Sequence, residues 1–512
     1  MKNVKKIMVL MLAMVMVIGT MSMTAFAAPG DLTVDHKVTV TGFEEGDTVT
    51  AYQFVTWDSE NNNWKVAEGV GLTLEQITDG LTKEELATLA SHTDKMTAVT
   101  GGTTTGTTWE LTCGTLATAG SYLVLVADSK AQHIYNPAVV SADFDGTNTP
   151  AVNLTEEKAL IKKQDVTAEK KADNDDDRDV QVGDIVPFTV TVTVPQYNSN
   201  WTEPTFEVKD QLSTGLTLEV LPTIAGLTAG TDYTLTGAKG DSTFTIKFSE
   251  DYLKNNASKA IEIKYSAKVG EAVKDTAQIH EETNKVTLKF SNDPTNSDSH
   301  KEITDETHHY TFAIDASRFG SSTDKTGELI KVGVDKDGNP ITVYKEGDPL
   351  PEKVAALVGA EFTLTGIGPN GEGTTVLTAT SDADGKMFFN NLETGTYTLK
   401  ETKAPAGYIK DNTEHTVVIS AEYNEDGTLK SYSIKIDGSD IASYTVTTKA
   451  EDKTIDTVTP GANNQTFPVN NKKGAELPST GGIGTTIFYI VGAILVIGAG
   501  VVLVTRRRMN AN

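Results

Sequence analysis

Short runs in which apolar and polar residues alternate recur through this chain and constrain it more than any other feature. Examples are IVPFTVTVTVP at 185–195, STFTIKF at 242–248, TVVIS at 416–420 and SYSIKI at 431–436. Side chains on a strand project to opposite faces with a period of two, so such runs specify half-buried strands rather than helices. Turn signals fall between them. The steps Asp337-Gly338, Asn370-Gly371, Asp384-Gly385 and Asp426-Gly427 suit hairpins. The expected class is all-β, in tandem immunoglobulin-like β-sandwich domains. Only residues 72–92, LTLEQITDGLTKEELATLASH, carry a helical period, with Leu72, Ile77, Leu81, Leu86 and Leu89 on one face. They read as a helix pair inserted in the first β unit.

At 512 residues the chain has room for about three domains. Its net charge of −26 argues against a nucleic-acid partner, since phosphate binding needs clustered Lys and Arg, which this chain concentrates only in its last few residues. Cys113 is the single cysteine. With no intrachain disulfide available, an exported chain must be stabilised by packing or by another cross-link.

Both ends read as addresses. Lys2, Lys5 and Lys6 precede the apolar run IMVLMLAMVMVIG, and Ala25-Phe26-Ala27 places small residues where a signal peptidase reads them. Residues 1–27 are therefore an expected signal peptide, the run being too short to span a bilayer. At the other end, Leu477-Pro478-Ser479-Thr480-Gly481 is followed by an apolar stretch from Ile483 to Val504 and then Arg506-Arg507-Arg508. That stretch is long enough for a transmembrane helix whose arginines stay in the cytoplasm. Removing both ends strips six positive charges and no acids, so the exported part is more acidic than the whole.

Between the ends, three units are expected, at 28–153, 154–297 and 300–473, with residues 474–512 as the terminal signal. AEKKADNDDDRD at 168–179 reads as a solvated loop, and SNDPTNSDSHKEITDETHH as a separator before the third unit. Enzyme motifs are missing: there is no G-x-S-x-G elbow, no H-E-x-x-H and no phosphate-cradling glycine loop. Asp173, Asp175 and Asp177 imitate a calcium loop, but Arg178 stands where its glycine belongs and no glutamate closes it. His308 and His309 adjoin the polar separator and lack acidic co-ligands. No metal, no cofactor and no turnover enzyme are expected.

The order of pentapeptide, span and basic tail resembles the LPxTG cell-wall sorting signal of Gram-positive surface proteins. That resemblance implies that a sortase attacks the Thr480 carbonyl, Gly481 leaves and an amine resolves the thioester. The third unit carries Leu329-Ile330-Lys331-Val332, then GAEFTL at 359–364, SDADGKMFFNNLETGTYTLKETKAPAGY at 381–408 and finally FPVNNKKGAELPSTGG. Gly395, Tyr397, Leu399, Glu401, Ala404, Pro405, Gly407 and Tyr408 fall on the G-x-Y-x-L-x-E-x-x-A-P-x-G-Y pattern of the CnaB-type domain. In that family a first-strand lysine and a last-strand asparagine join as an intramolecular isopeptide, assisted by the glutamate. The implied residues are Lys331, Asn471 and Glu401. In a dry core the lysine becomes a neutral nucleophile and the acid polarises the amide. Alternation places Phe467, Val469 and Asn471 on one strand face.

The second unit resembles the fimbrial isopeptide-forming domain of shaft pilins through QVGDIVPFTVTVTVPQY (181–197), FEVKDQLSTGL (206–216) and VTLKFSNDP (286–294). The implied acid is Asp210, the lysine Lys162 or Lys163, and the asparagine Asn292, with Asn284 the second choice. The first unit, ending SYLVLVADS and YNPAVVS, resembles the N-terminal domain of the same pilins. VNLTEEKALIKK (152–163) departs from the family by lacking a Tyr-Pro pair, and Lys158 is the nearest positional candidate for the lysine that accepts the sortase acyl group. The whole implies CnaA/CnaB-type sandwiches in a wall-anchored surface pilus. The expected partners are sortase, further copies of the chain, minor pilins and peptidoglycan, with a host surface ligand left open. A monomeric wall-anchored adhesin, or a tip or base pilin, is the alternative.

Overall fold

The computed structural model describes residues 36–61, 63–113, 115–142, 157–174, 178–197, 201–293, 296–315, 328–334, 344–345, 356–473 and 483–509. The expected signal peptide, the Leu477–Gly481 pentapeptide, Asp337-Gly338, Asp175 and Asp177 lie outside the described residues.

Two compact units form. The first takes residues up to Arg178, Gly183–Ala272 and Glu282–His309, and the second takes Asp179–Val182, Val273–Glu281 and Tyr310 onward. The contiguous borders 154–297 and 300–473 are thus crossed by short pieces of chain. The expected polar separator is largely a strand, His300–Ile314, in which His308 and His309 are buried. Its first half is only partly covered, which is why its composition reads as a linker.

In the first unit, residues 36–165 build a sandwich. Glu157–Leu160, His36–Thr41, Thr108–Cys113 and Thr103–Thr105 form one sheet in that order. Asn63–Val66, Thr48–Asp58, Gly120–Ala127 and Ala138–Ala142 form the other. Val38, Val40, Trp109, Leu111, Tyr122 and Val124 pack in one core between them. The expected helix pair is present as α1 (Leu74–Asp79) and α2 (Lys83–Ala90), each opened by a reciprocal Thr-x-x-Gln or Thr-x-x-Glu cap at Thr73 and Thr82. Their Ile77 and Leu89 cover Phe54, Leu123 and Leu125 in a second core. Gly120–Ala127 therefore has apolar neighbours on both faces, which explains why SYLVLV is continuous rather than alternating.

A second sandwich follows in the same unit. One sheet is Ala168–Ala172, Ile185–Thr193, Ala260–Val269 and Leu216–Ile224; the other runs Tyr233–Thr236, Thr243–Phe248 and Phe206–Leu212, then residues 282–291 of the strand Ile279–Ser291 and residues 300–309 of the strand His300–Ile314. Phe188, Val190, Val208, Phe244, Ile263, Leu288 and Phe290 fill the space between.

The second unit pairs a seven-stranded sheet with a small three-stranded one. The large sheet is Thr374–Thr380, Glu361–Ile367, Gly395–Lys403, Glu414–Tyr423, Leu429–Ile436, Ser439–Thr448 and Ile455–Pro460. Asn370-Gly371 and Asp426-Gly427 turn two of its hairpins, with Asn370, Gly371 and Gly427 at positive φ. The small sheet is Leu329–Gly333, Gln465–Asn471 and Tyr344–Lys345, with the first two strands parallel. Finally, α3 (Ile483–Met509) is apolar on all sides, with its large side chains from Ile487 exposed and Arg506–Arg508 in its last turn. Its stretch Ile487–Met509 is long and apolar enough to cross a membrane.

Candidate functional site: two buried lysine, carboxylate and asparagine sets

Lys331, Glu401 and Asn471 meet inside the second unit, exposing 0, 2 and 1% of their surface. Every residue of Leu329–Gly333 is buried, and among the described residues the Lys331 side chain is fully enclosed. The parallel register sets Lys331 opposite Val469 and Gly333 opposite Asn471, which points the amine and the amide into the same core. Glu401 comes from the facing sheet, where it pairs with Phe362. The Lys331 amine donates to Asn471 Oδ1, and it lies 3.2 Å from Glu401 Oε1. The same Oε1 accepts from Asn471 Nδ2 at 3.0 Å, while Oε2 accepts the Asp411 N–H at 2.6 Å. The Phe362 ring closes the site 5.3 Å from the amine. Burial pushes the Lys331 amine down from its ordinary value, against the pull of Glu401 and Asp411.

The middle sandwich holds a second set, and here the structure departs from expectation. Asp210 is buried as expected, but the lysine beside it is Lys170, which donates to Asp210 Oδ2. Lys162 and Lys163 are both on the surface; Lys163 pairs with Glu44. The reason is register: in Lys163–Asp165 the inward residue is Gln164, which bonds the Val194 carbonyl at 3.1 Å. In Ala168–Ala172, Lys170 turns inward while Glu169 and Lys171 stay outside. The passage read as a solvated loop therefore begins as the first strand of this sandwich. Alternation was the available signal, since Ala168, Lys170 and Ala172 share a face, but three charged residues in a row masked it.

The nearby asparagine is Asn284, not Asn292. Ile279–Ser291 sends Asn284, Val286, Leu288 and Phe290 to the core. Asn292 is buried elsewhere, giving its Nδ2 to the Asp128 carbonyl at 3.1 Å and accepting from Ser299. Tyr265, on Ala260–Val269, completes the set and was not anticipated. Its hydroxyl donates to Asp210 Oδ2 at 2.8 Å, accepts from Asn284 Nδ2 at 2.9 Å and receives the Lys170 amine. Burial drives the Lys170 amine down and the Asp210 carboxyl up, with the ion-pair attraction opposing both. A buried amine and acid shifted in these directions tend to a neutral pair.

Other expected residues lie apart. Lys158 is exposed on the edge strand Glu157–Leu160, parallel to His36–Thr41. Cys113 is a buried, unbridged thiol. Asp173 accepts from Thr189 at 2.7 Å as part of the sandwich edge.

Residues 351–435 match the family described as SpaA, a prealbumin-like fold domain, and residues 469–511 match the LPXTG cell wall anchor motif. The chain carries a SpaA-type domain and a cell-wall anchor. The first match contains Glu401, with Lys331 and Asn471 on either side of it. Over 97% of this chain and 99% of the relative, the sequence is 24% identical to the trypsin-resistant surface T6 protein of Streptococcus pyogenes serotype M6. The structure is similar to that of the T6 backbone pilin of serotype M6 Streptococcus pyogenes, a modular three-domain protein. The TM-score is 0.57 at 19% identity, covering 88% of this chain and 100% of that one. The chain thus shares the fold of that structure, and its anchor makes it a wall-anchored surface protein.

Proposed function

We propose that this chain is the shaft subunit of a covalently polymerised Gram-positive pilus. Sortase joins Thr480 of one copy to a lysine of the next, with Lys158 the acceptor and peptidoglycan the final attachment. Each copy is stiffened by two self-made isopeptide bonds, Lys331–Asn471 and Lys170–Asn284. The observation that carries the reading is the buried Lys331, Glu401 and Asn471 contact, in a chain related along its whole length to a backbone pilin.

The geometry supports this chemistry. A neutral Lys331 Nζ attacks Cγ of Asn471, and Glu401 Oε1, in reach of both nitrogens, takes a proton from one and delivers one to the other. The Nζ–Cγ bond forms, the Cγ–Nδ2 bond breaks and ammonia leaves. Each site turns over once, so the protein is a self-modifying structural subunit rather than an enzyme.

The test is the intact mass of the exported chain 28–480. Each bond releases one ammonia, about 17 Da. A chain two ammonias light, with one regained in Glu401→Ala and one in Asp210→Ala, supports the cross-links; a mass equal to the open chain removes them. Expression with sortase then separates shaft from adhesin. A ladder of polymers that collapses to monomer in Lys158→Ala fits the shaft, and wall-linked monomer in the parent fits the adhesin, a reading favoured only by the absent Tyr-Pro pair near Lys158.

A further inference from the structure

The two buried sets differ at one position. Glu401 accepts directly from the amide nitrogen of Asn471 at 3.0 Å. In the middle sandwich a tyrosine hydroxyl stands in that place, touching Asp210, Asn284 and the Lys170 amine together. Among the described residues, this hydroxyl is what connects the acid to the amide. Asp210 Oδ1 and Asn284 Oδ1, both buried, have no hydrogen-bond partner, so the contacts of the two side chains converge on Tyr265 and Lys170. The ring is held on two sides. It stacks on Phe188 at 5.3 Å between centroids and meets Phe244 edge-on at 4.8 Å, and it pairs with Phe188 across neighbouring strands. A side chain locked this way keeps its oxygen aimed at one spot.

We propose that Tyr265 is a catalytic residue of the middle-sandwich cross-link, its hydroxyl carrying the proton between Asp210 and the departing nitrogen of Asn284. The inference rests on the reading of this set as an isopeptide site. Nζ of neutral Lys170 forms its bond to Cγ of Asn284 and gives up one proton to the Asp210 carboxyl group. Asp210 passes its own proton to the Tyr265 oxygen, and the Tyr265 hydroxyl proton moves to Nδ2. The Cγ–Nδ2 bond breaks with its electron pair on nitrogen, and ammonia leaves. One proton has moved from Nζ to Nδ2, and Asp210 and Tyr265 end as they began. Two sites in one chain thus use different relays, a single carboxylate in one and a carboxylate with a phenol in the other.

The experiment follows the intact mass of freshly made exported chain, as parent, Tyr265→Phe and Phe248→Leu, with peptide mapping of each cross-link. Tyr265→Phe keeps the ring and removes one oxygen; Phe248→Leu loosens the packing of the same sandwich against Phe206 and Tyr252 and leaves the rings around Tyr265 in place. The parent and Phe248→Leu are expected to become two ammonias light. Tyr265→Phe is expected to stop at one, carrying Lys331–Asn471, with the second loss slowed at least ~100-fold, the lower range for a removed proton carrier. The Lys331–Asn471 link serves as the internal clock. Formation of the Lys170–Asn284 link at the parental rate in Tyr265→Phe overturns the proposal and leaves the isopeptide reading intact. Equal loss in Phe248→Leu, or trypsin opening residues 168–291 faster in Tyr265→Phe than in the equally unlinked Lys170→Met, also overturns it by assigning a packing role. A parent that never forms the Lys170–Asn284 link overturns both readings.

Discussion

Lys331 and Asn471 bond through their side chains although they are not opposite one another in the sheet. Lys331 faces Val469 on the parallel neighbour, and Asn471 lies two residues further along. The offset suits the chemistry, because a long lysine reaches diagonally to a short amide on the same face. A bond there closes a loop between residues 140 apart. By the entropy of loop closure such a link is worth about 5 kcal/mol. Lys331→Met is expected to regain one ammonia in mass and to lose stability of that order in guanidinium melts. A variant as stable as the parent would remove the mechanical role assigned to the link.

The register of the middle sandwich predicts which lysine reacts. Lys170→Met is expected to abolish the middle cross-link, whereas Lys162→Ala and Lys163→Ala leave it at parental yield. Peptide mapping checks this directly: the linked peptides contain Lys170 and Asn284. A linked peptide containing Asn292 would contradict the placement of that residue against the Asp128 carbonyl.

Gly385 supports the reactive lysine through the backbone. Its carbonyl accepts the Lys331 N–H at 2.7 Å, and its φ of 77° is one that glycine adopts freely. A Cβ at this position would stand 2.5 Å from the Lys331 carbonyl oxygen. Gly385→Ala is expected to cost about 1–3 kcal/mol in strain and to slow the Lys331–Asn471 link while sparing the middle one. Parental mass kinetics at both sites would refute this.

A buried acid pair predicts how stability depends on pH. Asp315 accepts the Leu329 and Met387 N–H groups at 3.0 and 3.1 Å; Glu328 accepts the Asp315 N–H at 2.6 Å and the Tyr444 hydroxyl. Burial, then the charge of Glu328, holds the Asp315 carboxyl well above its usual range. A raised folded value means the stabilising contribution is complete below the unfolded aspartate value of about 3.9 and is lost as pH rises through the folded one. The melting temperature of the Lys331→Met chain is expected to fall with rising pH above that point, and Glu328→Gln to flatten the slope. An equal slope in both chains would sink the assignment.

Local pattern determined much of this protein. Alternation marks the strands at 185–193, 243–248 and 429–436, and the caps at Thr73 and Thr82 mark the helix pair; these depend on near neighbours along the chain. Lys331, Glu401 and Asn471 are named through the CnaB-type resemblance, whose dense motif surrounds Glu401, and alternation puts Asn471 on one strand face with Phe467 and Val469. The middle site was only half legible. Asp210 and Asn284 sit among alternating apolar residues, but Lys170 lies in a charged run whose inward face becomes visible only when it pairs with Ile185–Thr193. Nothing near Tyr265 in sequence marks it off from any other strand tyrosine; it acquires a role because the Phe188 register aims its hydroxyl across the sandwich at residues on the opposite sheet. Which strands exist is a matter of side-chain period, which the chain carries in itself. Which lysine meets which asparagine depends on the pairing of strands far apart in sequence, and a slip of one residue turns every side chain to the other face.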